Sequence, residues 1–412
     1  MILKSKKPLF LILCIVFFYC CADKNPKEQE KIAVLENYPS AKTAENDSLV
    51  LALATHIEEV IAKGESIKFT QKIDLQRFVD KATFIEKQDS KISKWQREFG
   101  NGLGKGLQQL ADQIVSITEM GGTYEFISYR YSEETSSYHM LFRLFSEESG
   151  INYHDFDLIS FDGKFFIEDI YVYINGEMMS KTMNTFFLAS LPGSLLKRIL
   201  SLQNKSDMPH LVQAINQKNE GNFQVALDHV NKVRGPLTKI KLYHILKTQL
   251  AAALNDSQYQ KAMLDFKATF PNDPATNMVF MDYYILNGNY EEALKSLAIL
   301  QEATKDDFLH YLIGNIHFQA SDYDKAISSY ELIVGNYPDF DAAKFNLIAS
   351  YSNENRPEKC IPLLNQLMDT ELYYASDLIT YFEALDDNND NLFDTLVASK
   401  EYKNWKSENQ SL

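Results

Sequence analysis

The sequence contains little cysteine, and almost all of it lies in one place. Of the four cysteines, three lie within the first 21 residues and only Cys360 lies beyond them. A single distant cysteine cannot form a disulfide within the body of the chain, so that body must be stabilised by packing. Cys360 lies on a predicted helix where a small residue is needed, which indicates a core residue.

Positive charge is also scarce. The chain has 41 Lys and Arg against 56 Asp and Glu, a formal net charge of −15, and basic residues cluster only in the first few positions. This balance argues against general affinity for nucleic acid or anionic lipid headgroups. The eight histidines show no metal-ligand spacing, and no Gly-x-Ser-x-Gly nucleophile turn occurs. We therefore expect no nucleic acid, no metal and no cofactor.

The first 21 residues have the pattern of an export signal. Three lysines precede an apolar run from Leu9 to Tyr19. As a helix this run spans roughly 16 Å, well short of the ~30 Å hydrocarbon core of a bilayer. It therefore predicts a cleaved signal peptide rather than a membrane-spanning helix.

The end of this run resembles a bacterial lipoprotein signal, in which a cysteine receives lipid and becomes the new N-terminus. The apolar residues end at Cys20-Cys21 and polar residues follow at once. Cys21 fits the lipidated position better, because Cys20 would have the bulky Tyr19 directly before it. The resemblance implies a lipid anchor at Cys21 and a location in the bacterial cell envelope, facing the periplasm or at the outer membrane. The alternative is an ordinary cleaved signal with incidental cysteines. Residues 22–43 predict a flexible tether.

Residues 44–202 predict an α+β domain. Apolar spacing predicts a helix over Leu49–Ile61 that ends near Gly64, then a short strand, a second helix and a longer helical stretch with an interruption. After Gly121-Gly122 the apolar period becomes two, which predicts four strands in an antiparallel meander. The short strand covers Phe69–Ile73, the second helix Leu75–Phe84, the interrupted stretch Ile92–Ile117, and the four strands Thr123–Tyr131, Ser137–Phe145, Ile151–Ser160 and Lys164–Tyr173.

The interruption is a glycine-rich segment, Phe99–Gly106. A phosphate-binding loop needs glycine five residues before its Gly-Lys pair, where this chain has Phe99, and Ser or Thr after the lysine, where it has Gly106. The segment therefore predicts a break between two helices, and no nucleotide binding.

The order of these elements, with the strand segment Gly163–Tyr173, resembles the cone fold of the nuclear-transport-factor-like (cystatin-like) superfamily. Some members are isomerases or dehydratases that use an Asp or His inside the cone. The resemblance implies a structural or ligand-holding cone and, as the alternative, an enzyme. The candidate catalytic residues are then His139, His154, Asp155, Asp157 and Asp169.

Residues 207–374 contain five similar segments, each with alanine or cysteine three positions after its first residue and an aliphatic residue or methionine next. Their starts lie 31 to 36 residues apart, at Phe223, Tyr259, Tyr290, Tyr323 and Pro357. Period and signature resemble the tetratricopeptide repeat. The fourth copy matches best, with Gly314, Tyr323, Ala326, Tyr330 and Pro338 at family positions.

This resemblance implies an all-α superhelix whose inner surface is lined by the first helix of each pair. It is followed over residues 375–412 by a tail in which the runs Asp377–Leu385 and Leu392–Trp405 predict one or two capping helices. Alignment with the family gives a groove for a protein or peptide partner that lacks the basic residues of a carboxylate clamp. Its members are Asp282, Tyr311, Asn315, Phe318 and Phe345. The alternative is that Phe318 and Phe345 pack between neighbouring helices.

The combined prediction is a multidomain protein, with the cone domain followed by the repeat superhelix. Its function would be that of an exported, lipid-anchored scaffold that binds a protein partner in the cell envelope, without enzymatic activity. The alternative is an envelope enzyme, or a small-ligand-binding lipoprotein, whose site lies in the cone domain while the repeats recruit a partner.

Overall fold

The computed structural model describes residues 39–85, 92–191, 208–271, 274–370, 372–386 and 390–409. The predicted signal peptide, Cys21 and most of the tether lie outside these ranges. The described residues form two compact units, 39–279 and 280–409. Among them, no helix is both long enough and apolar enough to cross a membrane.

The first unit begins with helix α1, Ala44–Ala62. Thr43 caps its N-terminus by accepting a hydrogen bond from the backbone N–H of Asn46. Its C-terminal cap is Lys63, followed by Gly64 in the left-handed region at φ +72°. This confirms the first predicted helix and its end at a glycine that can adopt positive φ without strain.

Two short helices follow, α2 at Ser66–Thr70 and α3 at Leu75–Ala82. The predicted strand Phe69–Ile73 is wrong, because its first residues belong to α2 and only Ile73 pairs with the sheet, through a single parallel bridge to Ile167. After α2 the backbone N–H groups of Lys72 and Ile73 bond to the carbonyls of Phe69 and Thr70. The chain therefore turns here, and only Ile73 reaches the sheet.

Helix α4 runs without a break over Ser93–Glu119, so the predicted interruption at Phe99–Gly106 is wrong. A Cβ atom on Gly100 would stand 2.8 Å from Cγ1 of Val79, and one on Gly104 would stand 3.3 Å from Cδ2 of Leu75. The glycines therefore allow α3 to approach α4 closely. Tertiary packing here outweighs the low helix propensity of glycine.

A five-stranded antiparallel sheet follows, with its strands in chain order. All four predicted strands are present within two residues of their expected ends, and the sheet has one further strand, the two-residue β5, that was not predicted. The strands are β1 Thr123–Ser132, β2 Ser137–Ser146, β3 Gly150–Phe161, β4 Lys164–Val172 and β5 Glu177–Met178. Helix α5, Met179–Ser190, then packs on α3 and β4.

Helices α1, α2 and α4 cover one face of this sheet. Tyr138 on that face donates a hydrogen bond to Asp47 of α1 at 2.7 Å, and the ring of Phe156 lies 6.0 Å from that of Phe69. Both Tyr138 and Phe156 are fully buried. The arrangement confirms helices packed on an antiparallel meander, while the finer resemblance to a cone stays a prediction.

The first unit also contains the first two helix pairs of the repeat region, with each helix packed on the next. The second helix of the first pair starts at Phe223, as the repeat signature predicts, and that of the second pair starts near the predicted Tyr259. The pairs are α6 Met208–Asn219 with α7 Phe223–Val230, and α8 Lys241–Ala252 with α9 Asp256–Thr269. A 3-10 helix at Gly235–Lys239 separates the pairs. The second copy departs from the prediction, because α9 begins three residues before Tyr259.

Helix α10, Pro274–Leu286, contains the division between the units. In the second unit, α11, α13 and α15 each begin at the residue that the signature predicts. The helices are α11 Tyr290–Thr304, α12 Leu309–Gln319, α13 Tyr323–Asn336, α14 Asp341–Asn353 and α15 Pro357–Asp369. From α11 to α15 each helix packs on the next. In chain order, five pairs of helices thus follow one another, two in the first unit, one that contains the division, and two in the second unit.

Three helices follow where one or two capping helices are predicted. They are α16 Ala375–Phe382, α17 Asp394–Ala398 and α18 Lys400–Asn409. The expected single run over residues 392–405 divides at Ser399, whose hydroxyl accepts a hydrogen bond from the backbone N–H of Tyr402. That bond satisfies a donor in the first turn of α18, so the new helix starts there.

The signature residues pack as the sequence predicts. Gly314 lies directly against the ring of Tyr330, and Ala326 is fully buried. Cys360 is also fully buried, and burial raises the pKa of its thiol to about 12. Cys360 is therefore a core residue, as expected, and carries little thiolate at neutral pH.

Candidate functional site

The three rings of the predicted partner groove are buried within the second unit. Tyr311, Phe318 and Phe345 expose 3%, 8% and 8% of their surface. The ring centroid of Tyr311 lies 4.8 Å from that of Phe340, edge-on, and the ring of Phe318 lies 5.2 Å from that of Tyr323. These rings fill the interior of the helix stack, which limits what they offer a partner.

Asn315 belongs to a hydrogen-bond network between first and second helices. Its Oδ1 accepts from the hydroxyl of Tyr330 at 2.7 Å and from Nδ2 of Asn346 at 3.0 Å. These bonds tie α12 to α13 and to α14. Asn315 itself is half-buried, so part of its amide can still face a partner.

Phe345 is covered by the C-terminal helices. Its ring lies 5.0 Å from that of Tyr381 and 5.9 Å from that of Phe382, both in α16. Nearby, the hydroxyl of Ser352 accepts a hydrogen bond from the backbone N–H of Leu396 in α17. Every residue from 343 to 352 of α14 is buried, so the first helix of the fifth pair presents no open face there.

This arrangement matches the alternative in which Phe318 and Phe345 pack between helices. Asp282 lies in α10, and its side chain is outside the described part of the chain. Partner binding by the five groove residues stays a prediction, with Asn315 the member best placed among the four described side chains.

The second unit also contains an open cleft that no sequence pattern predicts. It has a volume of about 850 Å³ and lies among α13, α14 and α15. Its lining includes four carboxylates, those of Glu331, Asp339, Asp341 and Asp369. The single basic residue, Lys344, is 3% exposed and pairs with Asp341 at 2.8 Å. The four acids lie on three helices and a turn, so no sequence motif joins them.

In the first unit, the sheet face opposite α1 carries a cluster of charged residues. The strand register places Arg130 opposite His139, and His139 opposite Asp157. The Nδ1 atom of His139 lies 2.8 Å from Oδ1 of Asp157 and 4.0 Å from Oδ1 of Asp155. The guanidinium of Arg130 lies 2.6 Å from Oδ2 of Asp155. Three of the five predicted catalytic candidates therefore lie together.

Burial shifts the acid–base behaviour of this cluster. It raises the pKa of Asp155, an effect that the hydrogen bond and charge of Arg130 oppose. It also raises the pKa of Tyr173 to about 12, assisted by the charge of Asp155. An imidazole beside a carboxylate is a pair that general acid–base catalysis can use. Within the described residues, no group of three or more His, Cys, Asp or Glu side chains is placed to hold a metal ion.

Of the other two candidates, His154 lies on the opposite face of the sheet, and Asp169 is opposite Asp157 in the strand register but has its carboxylate bound elsewhere. His154 points to the helix-covered face, where its Nδ1 lies 3.1 Å from the hydroxyl of Tyr124, and full burial lowers its pKa to about 4. Asp169 is 2% exposed and accepts hydrogen bonds from the backbone N–H groups of Ile170 and Ser180. Both contacts are internal: one joins β1 to β3 on the helix-covered face, and the other ties β4 to α5.

Comparison with protein-family models finds no match, and neither does comparison with curated proteins. Among solved structures, MamA AMB-1 is 16% identical, over 42% of this chain and 96% of its own, with a TM-score of 0.33. Two structures of a MamA mutant are 16% identical over 40% of this chain, and over 96% and 92% of theirs, with TM-scores of 0.32. These scores are too low to establish a shared fold.

Proposed function

We propose that this protein is a scaffold that binds a protein partner through its helix pairs, and that it is exported and anchored by lipid at Cys21 in the bacterial cell envelope. The observation that carries the proposal is the run of five consecutive helix pairs. Stacked helix pairs present an extended surface, and each pair contributes side chains to it. Such a surface suits recognition of another protein better than chemistry on a small substrate.

A crosslinking experiment tests the scaffold. Gln319 is exposed and lies four residues after Asn315, so both share one face of α12. A photo-crosslinking amino acid at either position should yield the same partner adduct in cells. The same amino acid at Glu302, whose side chain is 83% exposed on α11, is the matched surface control. An absence of adducts from Gln319 and Asn315, or an identical adduct from Glu302, would overturn the proposed binding face.

The lipid anchor is tested separately. Metabolic labelling with a fatty acid should mark the wild-type chain and should fail in a Cys21→Ser variant. A Cys20→Ser variant should keep its label, because Cys20 is not the proposed acceptor. Label that persists in Cys21→Ser and disappears in Cys20→Ser would move the anchor by one residue, and label that persists in both would exclude an anchor at either cysteine.

The pair formed by His139 and Asp157 favours one second candidate, an enzyme whose acid–base chemistry lies on the sheet. His139→Gln and Asp157→Asn remove the imidazole and the carboxylate with little change in volume. If both variants fold and keep the Gln319 adduct but lose the cellular phenotype, the scaffold alone does not explain the function. If the phenotype is retained, the pair serves the structure of the sheet.

A further inference from the structure

We propose that the cleft among α13, α14 and α15 binds a cationic segment of a partner protein, one that carries apolar side chains between its lysines or arginines. This inference rests on the proposed scaffold function and adds a binding surface that the predicted groove does not include. Four observations support it: the charge of the lining, the helix ends that meet there, the apolar walls, and the volume over which the carboxylates are spread.

The charge of the lining is strongly negative. Glu331, Asp339 and Asp369 are all exposed, and they come from α13, from the turn before α14 and from the end of α15. The amino group of Lys344 is held by Asp341 and is buried, so it does not balance the three exposed carboxylates. A ligand with positive charges at several positions complements this lining.

The C-terminal ends of α13 and α15 make the electrostatic potential in the cleft more negative. Glu331 and Gly335 lie in the last turns of α13, which ends at Asn336, and Asp369 is the last residue of α15. Helix C-termini carry partial negative charge from carbonyl groups that have no partner within the helix. The N-terminus of α14 also meets the cleft, but Asp341 in its first turn opposes the positive end of that dipole.

The walls also offer apolar surface. Val334, Pro338, Leu347 and Leu372 line the cleft. Leu372 is 72% exposed, and the nearby Tyr374 is 74% exposed. These are the most exposed large hydrophobic residues in the described part of the second unit. A segment with only charged residues would leave them in water, whereas interspersed apolar side chains would cover them.

The spread of the carboxylates favours a peptide over a single ion. They do not converge, and among the described residues no three acidic, His or Cys side chains are placed to share a metal. A volume of about 850 Å³ instead accommodates several side chains of an extended segment, since pockets of 300–1,000 Å³ hold molecules of that size.

The test uses the full-length protein in detergent and a fluorescent peptide in which single leucines alternate with pairs of lysines. The comparison peptides replace either leucine by serine or lysine by glutamate. We expect binding of the lysine–leucine peptide that weakens as salt is raised, at least tenfold weaker binding of the serine peptide, and no binding of the glutamate peptide. Equal binding of the leucine and serine peptides would overturn the role of the apolar walls.

Two variants locate the binding. Asp339→Asn with Asp369→Asn removes two exposed charges from the cleft and should weaken binding at least tenfold. Glu302→Gln with Glu401→Gln removes two exposed charges elsewhere and should change it less than twofold. Gly335→Phe fills the cleft from a helical position where a Cβ atom meets nothing within 4 Å, so it should block binding without disturbing the fold. Equal losses in the two double variants would indicate general charge attraction and refute the site.

The two proposals fail in different ways. If cells yield the Gln319 adduct but the Asp339→Asn, Asp369→Asn variant binds the peptide as tightly as wild type, the cleft proposal is wrong and the scaffold stands. If peptide binding is lost in that variant but no partner adduct forms in cells, the cleft stands and the scaffold proposal fails.

Discussion

The ring of Tyr330 lies against the backbone of Gly314, so closely that a Cβ atom on residue 314 would stand 2.6 Å from ring atom Cε1. Gly314 is in the first helix of the fourth pair and Tyr330 in the second. Since Tyr330 is fully buried and donates its hydroxyl to Asn315 at 2.7 Å, the ring has no room to withdraw. The contact therefore sets the distance between α12 and α13.

Gly314→Ala should destabilise the protein although alanine is the better helix former. Overpacking of a core costs about 1–3 kcal/mol, and at this contact it should exceed the gain of about 1 kcal/mol in helix propensity. We expect a net loss of roughly 1–2 kcal/mol in the free energy of unfolding of the second unit, measured by chemical denaturation.

Gly335→Ala is the matched control, because Gly335 lies in α13 and a Cβ atom there meets nothing within 4 Å. Because the added methyl group meets no clash, the change acts only through the higher helix propensity of alanine. It should therefore raise the free energy of unfolding by up to about 1 kcal/mol. Equal effects of the two substitutions would contradict the close packing of Gly314 on Tyr330.

Gly100→Ala should likewise destabilise the first unit, by about 1–2 kcal/mol net of the helix propensity gained. The added Cβ would stand 2.8 Å from Cγ1 of Val79, and a β-branched side chain has few rotamers with which to move away. The comparison is Gly104→Ala, which meets Leu75 at 3.3 Å. Because Leu75 is 43% exposed and flexible, Gly104→Ala should be neutral or slightly stabilising in thermal unfolding. A larger loss at Gly104 than at Gly100 would refute the proposed order.

The contacts of these glycines show which parts of the fold local sequence patterns do not predict. Strand alternation and the repeat signature are local patterns, so they gave the four long strands and the starts of α7, α11, α13 and α15. The effect of Gly100 depends on α3, about twenty residues away in the chain, and propensity alone favoured a break. Burial of Phe345 depends on α16, which lies beyond the last helix pair and outside the repeat signature. The acidic cleft combines Glu331 with Asp369, and only the stacked helices bring them to one surface.

Asp169 should prove structural rather than catalytic. Its Oδ1 accepts two backbone N–H bonds, from Ile170 at 2.9 Å and Ser180 at 3.1 Å, and its Oδ2 accepts the hydroxyl of Ser180 at 2.5 Å. Asp169→Ala leaves the buried N–H of Ser180 without this acceptor, which should cost about 2–4 kcal/mol. Asp169→Asn keeps Oδ1 and should cost at least about 1 kcal/mol less.

Urea unfolding of both Asp169 variants checks this order. A matched Asp157→Asn variant at the half-buried end of the charged cluster should lose less stability than Asp169→Ala. If instead Asp169→Ala folds as stably as wild type but abolishes the cellular phenotype, Asp169 acts in chemistry and not in joining β4 to α5.

His154 should make the first unit less stable as the pH falls from neutral. Full burial lowers its pKa to about 4, below the ordinary value of about 6.5 that it has in the unfolded chain. Between these two values the unfolded chain binds a proton that the folded chain does not, so the stability of the fold decreases as the pH falls through that window. Below pH 4 both states are protonated and this contribution levels off. Between pH 7.5 and pH 4.5 the loss should be roughly 2–3 kcal/mol.

The measurement compares wild type with His154→Gln, which keeps a polar side chain near the hydroxyl of Tyr124 but does not titrate. Burial raises the pKa of Asp155 and Asp169, so these groups act in the opposite direction at acidic pH, equally in both proteins. The difference between the two pH profiles therefore isolates His154. We expect the free energy of unfolding of the variant to fall less steeply between pH 6.5 and pH 4. Parallel profiles would mean that water reaches His154 and protonates it in the folded state, and would place it outside the core of the sheet.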